Sequence, residues 1–159
     1  RQKFSPQYAE SRLRFSPYIK DVLVVGGGRD HVGGLVNIDY GNVGKWAEAR
    51  HIPYTTFVDL SQKNEVIGLV KGEINRINGL IPEWARIRKF VNMHKEFDPD
   101  DAELTRTRKM RRTFVEERYK EIITALYGDT EEFAVEAPIV YRDGKTGVIR
   151  TNIKVTTVD

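Results

Sequence analysis

Hydrophobic positions along the chain change period several times, and each change marks an element. Ser5-Pro6 is a helix-start signal, because serine can cap and proline suits the first helical position. Tyr8, Leu13 and Phe15 give that helix its apolar contacts, and Ser16-Pro17 closes it. Val22 to Val25 form a β-rich run that reads as a buried strand ending in the turn Gly26-Gly27-Gly28. A second strand resumes through Leu35, Val36 and Ile38, and the two are expected to pair antiparallel. Asn42 to Arg50 reads as a short helix with Val43, Trp46 and Ala47 on one side. From Ser61 to Leu80 the apolar residues Ile67, Val70, Ile74 and Ile77, followed by Ile81, recur at helical steps between charges, which predicts a long amphipathic helix. Ile87, Phe90 and Val91 suggest a third strand, and 94–108 lacks periodicity and reads as a loop. Arg111 to Tyr127 is a second strong helix, striped by Val115, Tyr119, Ile122 and Leu126 and stopped by Gly128. The tail alternates through Val135, Ile139 and Tyr141, turns at Asp143-Gly144 and returns through Val148, Ile149 and Ile153 as a hairpin. The expected fold is α+β: a small mixed sheet of about three strands flanked by helices, with a C-terminal β-hairpin.

Composition supports a packed domain. The 159 residues are 40% hydrophobic and 31% charged, which excludes a disordered or low-complexity chain. A chain of this size buries roughly 68–70% of its unfolded surface and needs no covalent staples. No apolar run reaches the roughly 20 residues of a membrane-spanning helix. Without cysteine there are no disulfides, zinc–thiolate sites, iron–sulfur clusters or cysteine nucleophiles, a pattern that fits a cytoplasmic protein. The chain opens at Arg1 with no signal-peptide pattern and reads as a processed chain or, by preference, a piece of something longer. The net charge of +3 permits an anionic partner without requiring one.

Most candidate chemistry falls away on spacing. His31, His51 and His94 sit on different elements without ligand spacing, so they read as exposed or loop histidines and no metal site is expected. Gly26-Gly27-Gly28 and Gly33-Gly34 lead into a strand rather than a helix, which fits a hairpin turn and neither a dinucleotide fingerprint nor a P-loop. The segment before the last helix is different. Residues 96–103 carry Glu96, Asp98, Asp100, Asp101 and Glu103, and residues 106–112 carry Arg106, Arg108, Lys109, Arg111 and Arg112. Charge alone leaves three readings: a solvated loop whose halves neutralise each other, a nucleic-acid patch, or a lysine presented to an anionic substrate. The adjacent acidic run and the lack of interleaved aromatics count against nucleic acid.

The run Glu103-Leu104-Thr105-Arg106-Thr107-Arg108-Lys109-Met110-Arg111-Arg112 resembles the terminal lysine motif of adenylate-forming enzymes. In their long-chain acyl-CoA synthetase branch that motif reads Leu-Thr-Pro-Thr-x-Lys before basic residues. Phe4-Ser5-Pro6-Gln7-Tyr8-Ala9-Glu10 is similar to the segment after that family's hinge, and Phe15-Ser16-Pro17-Tyr18-Ile19-Lys20 to its next step. Ile38-Asp39-Tyr40, Trp46-Ala47-Glu48, Tyr54-Thr55-Thr56 and Asp59-Leu60-Ser61 resemble bacterial-type members. The likeness covers residues 3–128.

This resemblance implies the C-terminal lid domain of a long-chain fatty acid–CoA ligase over 1–128, with 129–159 as an appended hairpin of the same domain. It implies ATP and coenzyme A as substrates, Mg2+ bound with ATP, and a missing N-terminal adenylation domain as partner. Lys109 takes the position of the adenylation lysine. Arg108, Arg111, Arg112, Gly27 and Gly28 are candidates for coenzyme or phosphate contacts, whereas Ser5-Pro6 and Glu10 read as structural. Two departures stand out: Arg106 replaces the usual proline, and Arg108 stands where smaller or apolar residues are commoner. The isolated piece is expected to be catalytically silent and cytoplasmic, and its fatty substrate makes peripheral membrane contact plausible. The competing classes are a stand-alone anion- or nucleic-acid-binding module, and the same domain from a ligase for another carboxylic acid.

Overall fold

A computed structural model describes residues 5–27, 29–140 and 143–158. Phe4, Gly28 and Tyr141, all used in the sequence reading, lie outside the described residues. The elements run α1 (Pro6–Arg14), β1 (Ile19–Val25), β2 (Val32–Ile38), α2 (Tyr40–Ala49), α3 (Phe57–Ser61), α4 (Asn64–Asn78), β3 (Ile87–Asn92), α5 (Arg112–Arg118), α6 (Lys120–Leu126), β4 (Glu132–Val140) and β5 (Thr146–Thr157). Single 3-10 turns occupy Glu83–Ala85 and Pro99–Asp101.

The fold is α+β, built on a sheet ordered β1-β2-β3-β5-β4, five strands where the sequence suggested about three. β1 and β2 pair antiparallel as expected, and β2 and β3 run parallel. The extra strands come from the tail. β4 and β5 form the expected hairpin, and the end of β5 then pairs with β3 through Val155↔Val91, Phe90↔Thr156 and Lys89↔Thr157. Gly144 turns the hairpin at φ 84°, a left-handed conformation open to glycine, and the Asp143 carboxylate accepts from the Lys145 amide at 2.9 Å.

Helices cover both sheet faces, so β1 and β2 are nearly continuous apolar runs. Val22, Val24, Val36, Ile38 and Phe90 turn toward α1, α2 and α4, where they meet Leu13, Val43, Val70 and Ile74. Leu23, Val25, Leu35 and Val91 turn toward α5 and α6, against Val115, Ile122, Ile123 and Leu126. α6 comes close to β2 at Gly33, where an added Cβ would lie 3.0 Å from Leu126 Cδ1.

Two predicted helices are interrupted. The helix expected from Ser61 begins at Asn64, because Ser61 ends α3 and Lys63 is extended at φ −64°, ψ 136°. There the Gln62 side chain donates to the Asn92 carbonyl at 2.8 Å and accepts from the Lys154 amide at 2.8 Å, tying the turn to β3 and β5. The helix expected from Arg111 to Tyr127 breaks at Tyr119, which leaves helical geometry at φ −108°, ψ 26°. The segment 94–108, expected to be an open loop, is braced: Asn37 of β2 donates to the Lys95 carbonyl at 2.9 Å and accepts from the Phe97 amide at 2.6 Å. His94, expected to be a loop or exposed histidine, is buried beside Tyr119.

Candidate functional site

Residues 103–111 form a narrow hairpin-like loop between the second 3-10 turn and α5. The Arg111 amide donates to the Glu103 carbonyl at 2.9 Å, Leu104 and Met110 bridge antiparallel, and the Thr105 amide donates to the Lys109 carbonyl at 2.8 Å. The tip is a three-residue connection, closed by the Arg108 amide donating to the Thr105 carbonyl at 2.9 Å. Arg108 itself sits at φ 64°. A type I turn followed by a left-handed residue is a common solution for such a connection, usually with glycine there. The Thr105 hydroxyl lies 3.2 Å from that of Thr107 and accepts from the Lys109 amide at 3.0 Å. All three polar atoms of Thr105 therefore fix the backbone around Lys109, while its side chain stays exposed.

Lys109 borders an open depression of about 560 Å³ between the loop, α1 and the start of β1. Arg14, Lys20, Arg108, Lys109 and Arg112 face two carboxylates there, Glu10 and Asp21. Both acids are occupied. Asp21 accepts from the Val22 amide at 2.9 Å and from Arg14 at 3.4 Å. Burial pushes its carboxyl up, against the opposing pull of Val22, Arg14 and Arg108. Glu10, buried on α1, accepts from the Val24 amide at 2.7 Å and from Arg112 Nη2 at 2.6 and 2.8 Å. Among the described residues, no acceptor lies within hydrogen-bonding reach of the Lys109 ammonium or the Arg108 guanidinium. The mouth of the depression thus carries cations without bound counter-charges, an arrangement that attracts anions.

The other candidates are placed differently. Arg112 is committed to Glu10 and to the Val24 carbonyl (3.1 Å), so it joins α5 to α1 and β1. Arg111 donates to the Ala102 carbonyl at 2.9 Å and lies over the Phe114 ring. Gly27 is exposed and lines a neighbouring depression with Arg29, Arg112 and Glu116; Arg112 stands between this and the Lys109 depression. Gly28 lies outside the described residues.

Below the loop is a cluster that sequence reasoning missed. Glu103, 0% exposed, accepts from Lys95 Nζ at 2.8 Å, the Asp98 amide at 3.0 Å and the Tyr119 hydroxyl, and pairs with Arg118 Nε at 3.2 Å. Lys95 also pairs with Asp101 at 3.0 Å, which holds the Asp101 carboxyl below its ordinary value. Burial alone lowers the Lys95 ammonium, but its bonds to Glu103 and Asp101 and the nearby Tyr119 carry it above the usual lysine value. Burial and the bond to Glu103 push the Tyr119 phenol up to about 12. Burial, reinforced by the Lys95 charge, brings His94 down to about 4. The only sequence signal was Glu103 at the end of an acidic run, and nothing there marked it as buried. No group of three or more His, Asp or Glu side chains among the described residues converges as metal ligands do. No helix among them is long and apolar enough to cross a membrane.

The site is thus an exposed lysine, braced by its loop, beside an electropositive depression on a small α+β domain. The chain belongs to the AMP-binding enzyme C-terminal domain family, whose sequence profile matches residues 1–131. It is 29% identical over 124 residues to the long-chain-fatty-acid–CoA ligase FadD15 of Mycobacterium tuberculosis, and equally to that of Mycobacterium bovis. Each match covers 77% of this chain and 21% of the relative, so the chain spans about a fifth of the proteins it resembles. Its fold is similar to the adenylation domain of a carboxylate reductase from Mycobacterium chelonae, with a TM-score of 0.59 and 19% identity over 77% of this chain and 18% of that one. The A-PCP didomain of a carboxylic acid reductase from Segniliparus rugosus, solved in complex with AMP, gives 0.58 and 17% over 77% and 16%.

Proposed function

We propose that this chain is the mobile C-terminal domain of an AMP-forming long-chain fatty acid–CoA ligase, and that Lys109 is its adenylation lysine. The reading rests on one observation: a loop bonded along its length holds an uncompensated lysine at the mouth of a cationic depression. In the first half-reaction a carboxylate oxygen attacks the α-phosphorus of ATP and pyrophosphate leaves. Two anions must approach, and a fixed cation placed where charge accumulates lowers that barrier. Losing one such group typically costs roughly 10²–10³ in rate. The domain then rotates, the coenzyme A thiol attacks the acyl carbonyl, and AMP leaves. Arg108, which makes no hydrogen bond through its guanidinium among the described residues and feels the Asp21 carboxylate only at a distance, is the second cation available to phosphate, and Gly27 borders the adjoining depression. Mg2+ would travel with ATP and be held by the preceding adenylation domain, which also supplies the acyl pocket. The chain alone is therefore silent, and the reading assigns the whole enzyme to the cytoplasm with peripheral membrane contact.

The 29% likeness to a long-chain ligase supports the fatty substrate. The test uses the full-length parent enzyme with ATP, coenzyme A and a panel of palmitate, octanoate, acetate and benzoate. Pyrophosphate release and thioester formation fastest with palmitate support the reading. A preference for acetate or benzoate reassigns the domain to a ligase for that acid, and oligonucleotide binding without any adenylation points to an anion-binding module.

A further inference from the structure

We propose that Glu103 is the positioning residue of the adenylation loop: its buried carboxylate fixes the register in which residues 104–110 carry Lys109 to the depression. The inference rests on the Lys109 reading above. A fully buried carboxylate is costly unless it is paired and hydrogen-bonded, and filling such a site with apolar residues is often neutral or stabilising. Stability alone therefore gives little reason for a charge here. What the carboxylate does is gather separate segments onto one point. Lys95 comes from the stretch after β3, the Asp98 amide from the approach to the loop, and Arg118 and Tyr119 from the break between α5 and α6. The helix break is part of the device, since it lies where the Tyr119 hydroxyl reaches Glu103.

The main chain of Glu103 makes the same junction. Its amide donates to the Asp98 carbonyl at 3.0 Å, and its carbonyl accepts the Arg111 amide, the first rung of the loop. The next rungs are Leu104 with Met110 and Thr105 with Lys109. In a paired strand, side chains alternate between faces, so a slip of one residue at the base turns every later side chain over. Such a slip would move Lys109 away from the depression and bring Arg108 or Met110 in its place. Leu104, itself buried, resists the slip only through packing, whereas Glu103 bonds to four partners from fixed directions.

The test uses the full-length parent and the acid it activates fastest. Glu103→Gln keeps the shape and removes the charge, Tyr119→Phe removes one of the four partners, and Lys109→Ala serves as reference. Pyrophosphate release is measured as kcat and KM, and thioester formation from pre-formed acyl-adenylate and coenzyme A is measured separately. The expected result is a 10-fold or greater fall in adenylation kcat for Glu103→Gln. KM for ATP and the thioester rate should stay within about twofold, and Tyr119→Phe should show a three- to tenfold fall of the same kind. A stability effect alone would lower both half-reactions together in proportion to folded protein, and that pattern, or no fall at all, overturns the proposal. If Glu103→Gln does not fold, Tyr119→Phe decides by the same contrast. Should Lys109→Ala keep wild-type adenylation, the Lys109 reading fails and takes this one with it. Should Lys109→Ala lose adenylation while Glu103→Gln and Tyr119→Phe keep it, positioning by Glu103 alone is refuted.

Discussion

His94 should make the domain sensitive to mild acid. The ring is buried and packs edge-on toward Tyr119, and its Nδ1 has no hydrogen-bond partner. The charges facing it are Lys95, Glu103 and Arg118; the two cations disfavour an imidazolium and Glu103 favours it, while burial dominates and sets its pKa near 4. The unfolded chain therefore takes up this proton first, between pH 6.5 and about 4. The stability contributed by the neutral ring is complete above 6.5 and is lost as the pH falls through about 4. At about 1.36 kcal/mol per pH unit, the gap corresponds to roughly 3 kcal/mol, a large share of the roughly 5–15 kcal/mol typical of a domain. His94→Leu removes the titrating group at similar volume, together with an unpartnered buried nitrogen, so its cost at pH 7 should be small. Urea unfolding of both chains at pH 7 and pH 4, followed by circular dichroism, tests this. His94→Leu should gain about 3 kcal/mol on the wild type between the two pH values. A difference that stays constant within about 0.5 kcal/mol would refute the argument.

Arg112→Ala leaves Glu10 buried with only the Val24 amide, and should lower stability by about 3 kcal/mol in denaturant melts. Restored stability in Arg112→Ala with Glu10→Gln would attribute that cost to the stranded charge. Tyr119 and Lys95 both have raised values, so the stability they give is complete below their ordinary values and fades at higher pH, for Tyr119 as the pH climbs through about 12. Alkaline unfolding followed by tyrosinate absorbance should accordingly show, in the wild type and not in Tyr119→Phe, a tyrosine that ionises with the unfolding transition. Gly33→Ala should cost about 1–3 kcal/mol by crowding Leu126, and Leu126→Ala about 2–5 kcal/mol. The double variant should lose less than the two losses combined, because each relieves the other, and thermal melts of the three variants check this. Lys109→Ala should leave the melting curve unchanged to within about 0.5 kcal/mol, since its exposed side chain makes no hydrogen bond or ion pair among the described residues.

The strands and helix faces were legible where local period dictates them: Val22 to Val25, Ile67 to Ile77, and the hairpin around Asp143-Gly144. The helix break at Tyr119 was not, because Val115, Tyr119, Ile122 and Leu126 keep one apolar stripe straight through it. What distinguishes Tyr119 is a hydroxyl drawn to a residue 16 positions away, which no local pattern carries. The pairing of β5 with β3 escaped for a similar reason, since strand partners distant in sequence leave no local mark. At the site, charge counting could not separate Lys109 from its basic neighbours, and the resemblance to a family motif singled it out. Charge counting also set Arg112 beside Arg108 as a phosphate candidate, whereas only the folded chain brings Glu10 to it. Glu103 was one acid among five until burial set it apart.

The central claim is that Lys109 serves the first half-reaction and not the second. The direct measurement takes Lys109→Ala in the full-length parent and follows both half-reactions, pyrophosphate release from ATP and palmitate, and thioester formation from ready-made palmitoyl-adenylate and coenzyme A. The account predicts a loss of roughly 10²–10³ in the first with the second retained. Adenylation near the wild-type rate would contradict it and return the loop to a solvated basic surface, with Arg108 the next residue to test.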